Sequence, residues 1–133
     1  MLRARRKFRD SIKRIRKLDK VARKGGGTQA RLDCYEVLYR TARIWVRSSD
    51  RKELAIWLDL PVLPPPTVVD LISALMLTAT KLDKRLRSRH GAALKYAAVK
   101  KIPSGRLVTF LRSRGGFAGA AAKYSRWRRK NSC

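Results

Sequence analysis

The sequence predicts an all-α protein: a compact bundle of five or six helices with a long basic N-terminal helix. Three observations carry this. Apolar residues return at three- and four-residue steps over most of the chain. Gly and Pro gather in a few short runs that separate those patterns. Clean alternation of apolar and polar residues is absent from the sequence, and only residues 106–111 offer a short run that a strand can use.

Residues 2–23 read as one amphipathic helix. Ala4, Phe8, Ser11, Ile12, Ile15, Leu18 and Ala22 share one face. Arg6, Arg9, Lys13, Lys17, Lys20 and Lys24 form a cationic stripe of the same period on the other. At about 1.5 Å per residue such a helix spans roughly 33 Å. Gly25-Gly26-Gly27 stops it and supplies a hinge. Thr28 is a candidate N-cap for a helix over about 29–47, whose core stripe is Tyr35, Leu38, Ala42 and Trp45. Asp50 and Glu53 have capping-box spacing and start a short helix over 51–59, ended by Pro61.

Pro61 to Pro66 must be extended, because each proline lacks an N–H and biases the residue before it. Thr67 and Asp70 signal a fresh helix start. The spacing of Val68, Leu71, Ile72, Leu75, Ala79, Leu82 and Leu86 predicts one helix over 68–89, ended by Gly91. Its cationic last turns, Lys81 to Arg89, would then suit the helix dipole. His90, the single histidine, reads as a partner of that C-terminal cap. Residues 92–101 predict a short helix closed by Pro103, and Ser104 caps another over 105–113. Gly115-Gly116 breaks the chain before a last helix from Phe117 to about Arg129.

Charge divides the chain more sharply than hydrophobicity does. Residues 1–24 carry 12 Lys/Arg and 2 acids, residues 25–80 carry 6 and 6, and residues 81–133 carry 16 and 1. The predicted organisation follows: a basic helix or arm (1–24), a neutral helical unit (28–60) and a basic helical unit (67–130), with 28–130 one folded domain. One-sign surfaces repel themselves, and a polyanion relieves that repulsion. Nucleic acid is the first candidate partner. Arg outnumbers Lys, 21 to 13, and guanidinium makes bidentate phosphate bonds and stacks on bases, which favours RNA over DNA. A GC-rich coding sequence explains the same ratio but not the segregation of charge.

The candidate phosphate-contacting residues are the N-terminal stripe, Lys84, Arg85, Arg87 and Arg89, and the C-terminal set Arg112, Arg114, Lys123, Arg126, Arg128, Arg129 and Lys130. Tyr124 and Trp127 lie among the last of these and are candidates to stack on bases; the competing reading buries them, with Phe117, in the core. The basic clusters Arg5-Arg6-Lys7 and Lys13-Arg14 also match a nuclear import signal.

No Cys/His cluster, Gly-rich phosphate loop or nucleophile arrangement stands out, so the expectation is a non-enzyme with no metal, cofactor or small-molecule substrate. Cys34 and Cys133 read as free thiols. The N-terminus lacks a secretory pattern, and the longest apolar stretch is too short to span a bilayer. An intracellular protein is expected: cytoplasmic, or nuclear in a eukaryotic setting. A homodimer would combine two cationic faces into a longer track.

The leading expectation is therefore a protein that contacts phosphates with little sequence readout, duplex or structured RNA favoured, with the economy of a small viral RNA-sequestering or silencing-suppressor protein. A second reading rests on Phe110 to Tyr124, where Gly115-Gly116 precedes an Ala-rich stretch. This resembles the opening of Fis-type helix-turn-helix units, and the resemblance implies a sequence-specific DNA-binding regulator or plasmid/phage accessory factor. Such a unit needs a recognition helix after a second turn, and only Ser125 to Cys133 remain. A protein-interaction or inhibitor module is a third reading.

Overall fold

Helix forms where the apolar stripes pack, and helix is the only regular secondary structure of the computed structural model over residues 2–131, with side chains described from Arg6 onward. Ala4 and Arg5 as side chains, and Cys133, lie outside the described residues. The helices are α1 (Leu2–Val21), α2 (Gly27–Trp45), α3 (Arg51–Trp57), α4 (Val68–Ala79), α5 (Lys84–Val99), α6 (Leu107–Ser113) and α7 (Gly116–Lys130). The α1–α2 run, counted once across its bend, makes six helical segments. No strand occurs among the described residues, and residues 107–111 lie in α6. The chain divides into two compact units, Met1–Lys81 and Leu82–Cys133.

In the first unit, α1 and α2 form an antiparallel hairpin. The bend at Ala22–Gly26 depends on Gly25, whose φ of 96° is left-handed and favours glycine. The predicted stop at the glycine run is present, but Thr28 does not cap: the N-cap of α2 is Gly26, without a side-chain bond. Phe8, Ile12 and Ile15 of α1 are buried, as the stripe predicts. Phe8 meets Trp45 edge-on at 4.9 Å, and the Cys34 thiol donates to the Ile15 carbonyl at 3.7 Å. The long basic helix is thus one wall of a core completed by α2, α3 and α4.

Asp19, although charged, is 1% exposed. Its two oxygens accept three hydrogen bonds: from Arg31 of α2, from Arg23 Nε at 2.9 Å, and from the Lys81 backbone N–H at 3.0 Å. Burial pushes this carboxyl up, but the bonds from Arg31, Lys81 and Arg23 outweigh it and hold it below its ordinary 3.8. One turn earlier, the Arg16 guanidinium donates to the Thr78 carbonyl at 3.3 and 3.1 Å.

These two α1 side chains help end α4, which corrects the expectation of one helix over 68–89. Thr80 is extended (φ −122°, ψ 153°), and its hydroxyl turns back to the Met76 carbonyl. The Lys81 N–H serves Asp19 rather than a helical carbonyl. Asp83 then caps a new helix by accepting the Leu86 N–H at 2.9 Å. Sequence periodicity cannot register a partner 62 residues away. The start of α4 is as predicted, with a reciprocal capping box between Thr67 and Asp70. Asp50, by contrast, makes no side-chain cap to α3.

In the second unit, α5 runs unbroken through His90 and Gly91, correcting both the expected stop there and the separate helix over 92–101. Gly91 is buried, and His90 stacks on Phe117 of α7 at 4.2 Å. Ala93, Ala97 and Ala120 are fully buried, and their small side chains let α5 and α7 pack closely. Ser104 begins a single 3₁₀ turn without a side-chain cap. Gly115 and Gly116 have φ of 85° and 70°, and a Cβ on Gly119 would overlap the Arg114 carbonyl.

Asp19→Asn leaves Arg31 half-buried without its anion and should lower stability by about 3 kcal/mol in urea denaturation. Because the folded carboxyl titrates below its unfolded value, its contribution is complete above the ordinary 3.8 and lost as pH falls through the lower folded value. Acid unfolding of the wild type should therefore show a destabilising limb there that Asp19→Asn lacks. Burial pushes the Cys34 thiol up to about 11. A Cys133→Ser protein should accordingly show no thiol reactive toward Ellman's reagent at neutral pH until it is unfolded.

Candidate nucleic-acid interface

Every cation of the N-terminal stripe, Arg6, Arg9, Lys13, Lys17 and Lys20 of α1 and Lys24 in the bend after it, is exposed, and none pairs with a carboxylate among the described residues. The other arginines of α1 and its bend with described side chains divide in role. Arg16 and Arg23 serve the fold through Thr78 and Asp19, while Arg14 is exposed. Hydrophobic burial of Phe8, Ile12 and Ile15 fixes the rotation of the helix, so the stripe points away from the core.

The second unit carries 15 Lys/Arg and one acid, Asp83, which is engaged as the α5 cap. Two concave surfaces lie between α5 and α7. One, of about 570 Å³, is lined by Lys84, Arg85, Ser88, Arg89 and Ala92 of α5 and by Ala121, Ala122 and Ser125 of α7. The other, of about 270 Å³, is lined by Tyr96 and Lys100 of α5 and by Lys123, Arg126, Trp127 and Lys130 of α7. Among the described residues, neither is lined by a carboxylate.

The structure thus gathers Lys84, Arg85 and Arg89 in one groove and Lys123, Arg126, Trp127 and Lys130 in the other. Arg87, Arg112, Arg114, Arg128 and Arg129 line neither. Arg114 instead covers the Phe110 ring at 4.9 Å. Tyr124 is 8% exposed and stacks on Trp127 at 6.0 Å, backing that ring rather than presenting its own. Phe117 is half-buried against His90. Tyr96 and Lys100 belong to the smaller groove and were missed from sequence. The signal was the continuous stripe Arg85, Arg89, Ala92, Tyr96, Lys100, hidden by ending the helix at Gly91.

The α5 cations also reverse an electrostatic expectation. As the end of a 68–89 helix they would suit the dipole; in fact Lys84 and Arg85 open α5, whose first turn holds no acid. Cations at a helix N-terminus are unfavourable. The last turn of α7, by contrast, places Arg128, Arg129 and Lys130 where the dipole favours them. Apart from the Asp83 carboxylate at the N-cap, the start of α5 offers these cations no acidic partner in its first turn.

From Gly116 to Lys130 α7 is unbroken, so no second turn of the helix-turn-helix kind falls within it. Among the described residues no group of three or more His, Cys, Asp or Glu is placed to hold a metal ion, and no helix is long and apolar enough to cross a membrane. Comparison with family models, with curated proteins and with solved structures gives no match.

Replacing Lys84 and Arg85 by Glu should stabilise the protein by a few tenths of a kcal/mol each, read as a higher urea midpoint, because acids then occupy the positive end of α5.

Proposed function

We propose that this protein is a non-enzymatic nucleic-acid-binding protein that contacts the phosphate backbone with little sequence readout, with structured RNA the favoured partner. The observation that carries this reading is the pair of carboxylate-free cationic grooves between α5 and α7. Phosphate contacts supply affinity without sequence information, whereas base readout needs side chains that fit base edges. The larger groove has cations along its α5 wall and Ala, Ala and Ser along its α7 wall. That chemistry seats a backbone and offers little to distinguish bases. The unpaired α1 stripe supports the same reading from the first unit, since its period lets one helix face follow a row of phosphates. Arginine-rich surfaces suit RNA shape and 2′-hydroxyl contacts. The unfavourable placement of Lys84 and Arg85 fits a surface kept for binding at some loss of stability.

The test is a binding panel of unrelated RNA sequences, with unrelated DNA alongside. Neutralising Arg9, Lys13 and Lys17 together, or Arg85 and Arg89 together, should weaken binding to every sequence by a similar factor. A loss confined to one sequence would show base reading instead. The paired Lys84→Glu and Arg85→Glu changes should weaken binding while raising stability, a combination that separates a binding surface from a structural one.

A further inference from the structure

We infer that the smaller groove, formed by Tyr96, Lys100, Lys123, Arg126, Trp127 and Lys130, is a pocket for one unpaired nucleotide, its base stacked on Trp127 and its phosphates held by the surrounding cations. This deepens the proposed function and rests on it.

The lining joins two chemistries that few ligands satisfy together. Trp127 offers aromatic surface, the buried Tyr96 backs the groove, and four cations line it with no acid among the described residues. An aromatic wall selects a flat π-system, and an uncompensated cationic rim selects an anion. A nucleotide is both. Trp127 is half-buried, and the near-parallel ring of Tyr124 lies 6.0 Å from it at 16°, which limits its rotation. Lys100 sits 5.7 Å from the centre of the Tyr96 ring, so this ammonium is held at the aromatic wall. The volume of about 270 Å³ is just below that of drug-sized ligand pockets, which begin at roughly 300 Å³. That is enough room for a single base with its phosphate. A base inside a perfect duplex cannot reach such a wall without being extruded. The pocket therefore favours single strands, bulges and loops, while the larger groove and the α1 stripe are indifferent to pairing.

The experiment measures binding of the full chain to three RNAs of matched length: a perfect duplex, the same duplex with a bulged nucleotide, and a single strand. The wild type should bind the bulged and single-stranded RNAs more tightly than the perfect duplex. Trp127→Ala should remove about tenfold of affinity for those two and leave the perfect duplex unchanged. Trp127→Phe should restore most of the loss, since it keeps the aromatic face. Intrinsic fluorescence gives a second readout: single-stranded RNA should quench the wild type by stacking, and that component should vanish in Trp127→Phe. Equal wild-type affinity for all three RNAs would overturn the inference. So would an equal loss for all three in Trp127→Ala, which marks a structural role. A free nucleoside monophosphate that competes as strongly as the single strand would move the assignment from a chain segment to a small ligand. Binding of none of the three would instead overturn the proposed function itself.

Discussion

Scarcity of carboxylates is the constraint on which this structure depends. Nine acids serve 34 Lys and Arg, so charge cannot be neutralised within the chain. The fold places several of its acids where one oxygen pair does structural work. Asp19 joins α1, α2 and the segment after α4 through three donors. Asp70 completes the cap of α4, and Asp83 caps α5. Stability comes instead from apolar stripes: each large side chain removed from water contributes about 1.5–3 kcal/mol, against at most about 1 kcal/mol for an exposed ion pair. Apart from Arg31, which is held against Asp19, most of the cations face solvent, where no carboxylate of the chain relieves their mutual repulsion.

Much of this was legible in the sequence because it follows from local period. The buried positions Phe8, Ile12 and Ile15, the opposing stripe, the glycine bend and the Thr67–Asp70 cap all depend on residues within a few positions of one another. What was hidden depends on distant partners. The end of α4 is set with Arg16 and Asp19 of α1, and a helix pattern that continues smoothly through Leu82 and Leu86 gives no sign of it. Gly91 misled for the opposite reason. A glycine in a helical pattern suggests a terminus, yet here it is buried in the α5 interior. The same misreading hid Tyr96 and Lys100, because residues on one helix face are recognised together only when the helix is drawn whole. Tyr124 shows a further limit: periodicity places an aromatic on a face but does not reveal that its neighbour's ring will cover it.

The consequences for function run through α5. Moving its start to Lys84 turns Lys84 and Arg85 from dipole-compatible residues into cations at a helix N-terminus. Extending its end to Val99 builds the second groove. This surface opposes its own helix dipole and meets no carboxylate across the groove among the described residues, which is the arrangement the proposed function draws on. The small side chains on the facing side of α7 permit close packing on α5.

The central claim is that these cationic surfaces act by neutralising phosphates, and the salt dependence of binding addresses it most directly. With six or more phosphates contacted, affinity for RNA should fall by about a thousandfold or more between roughly 50 and 200 mM salt, linearly on a log–log plot. An affinity that stays level across that range would contradict the account.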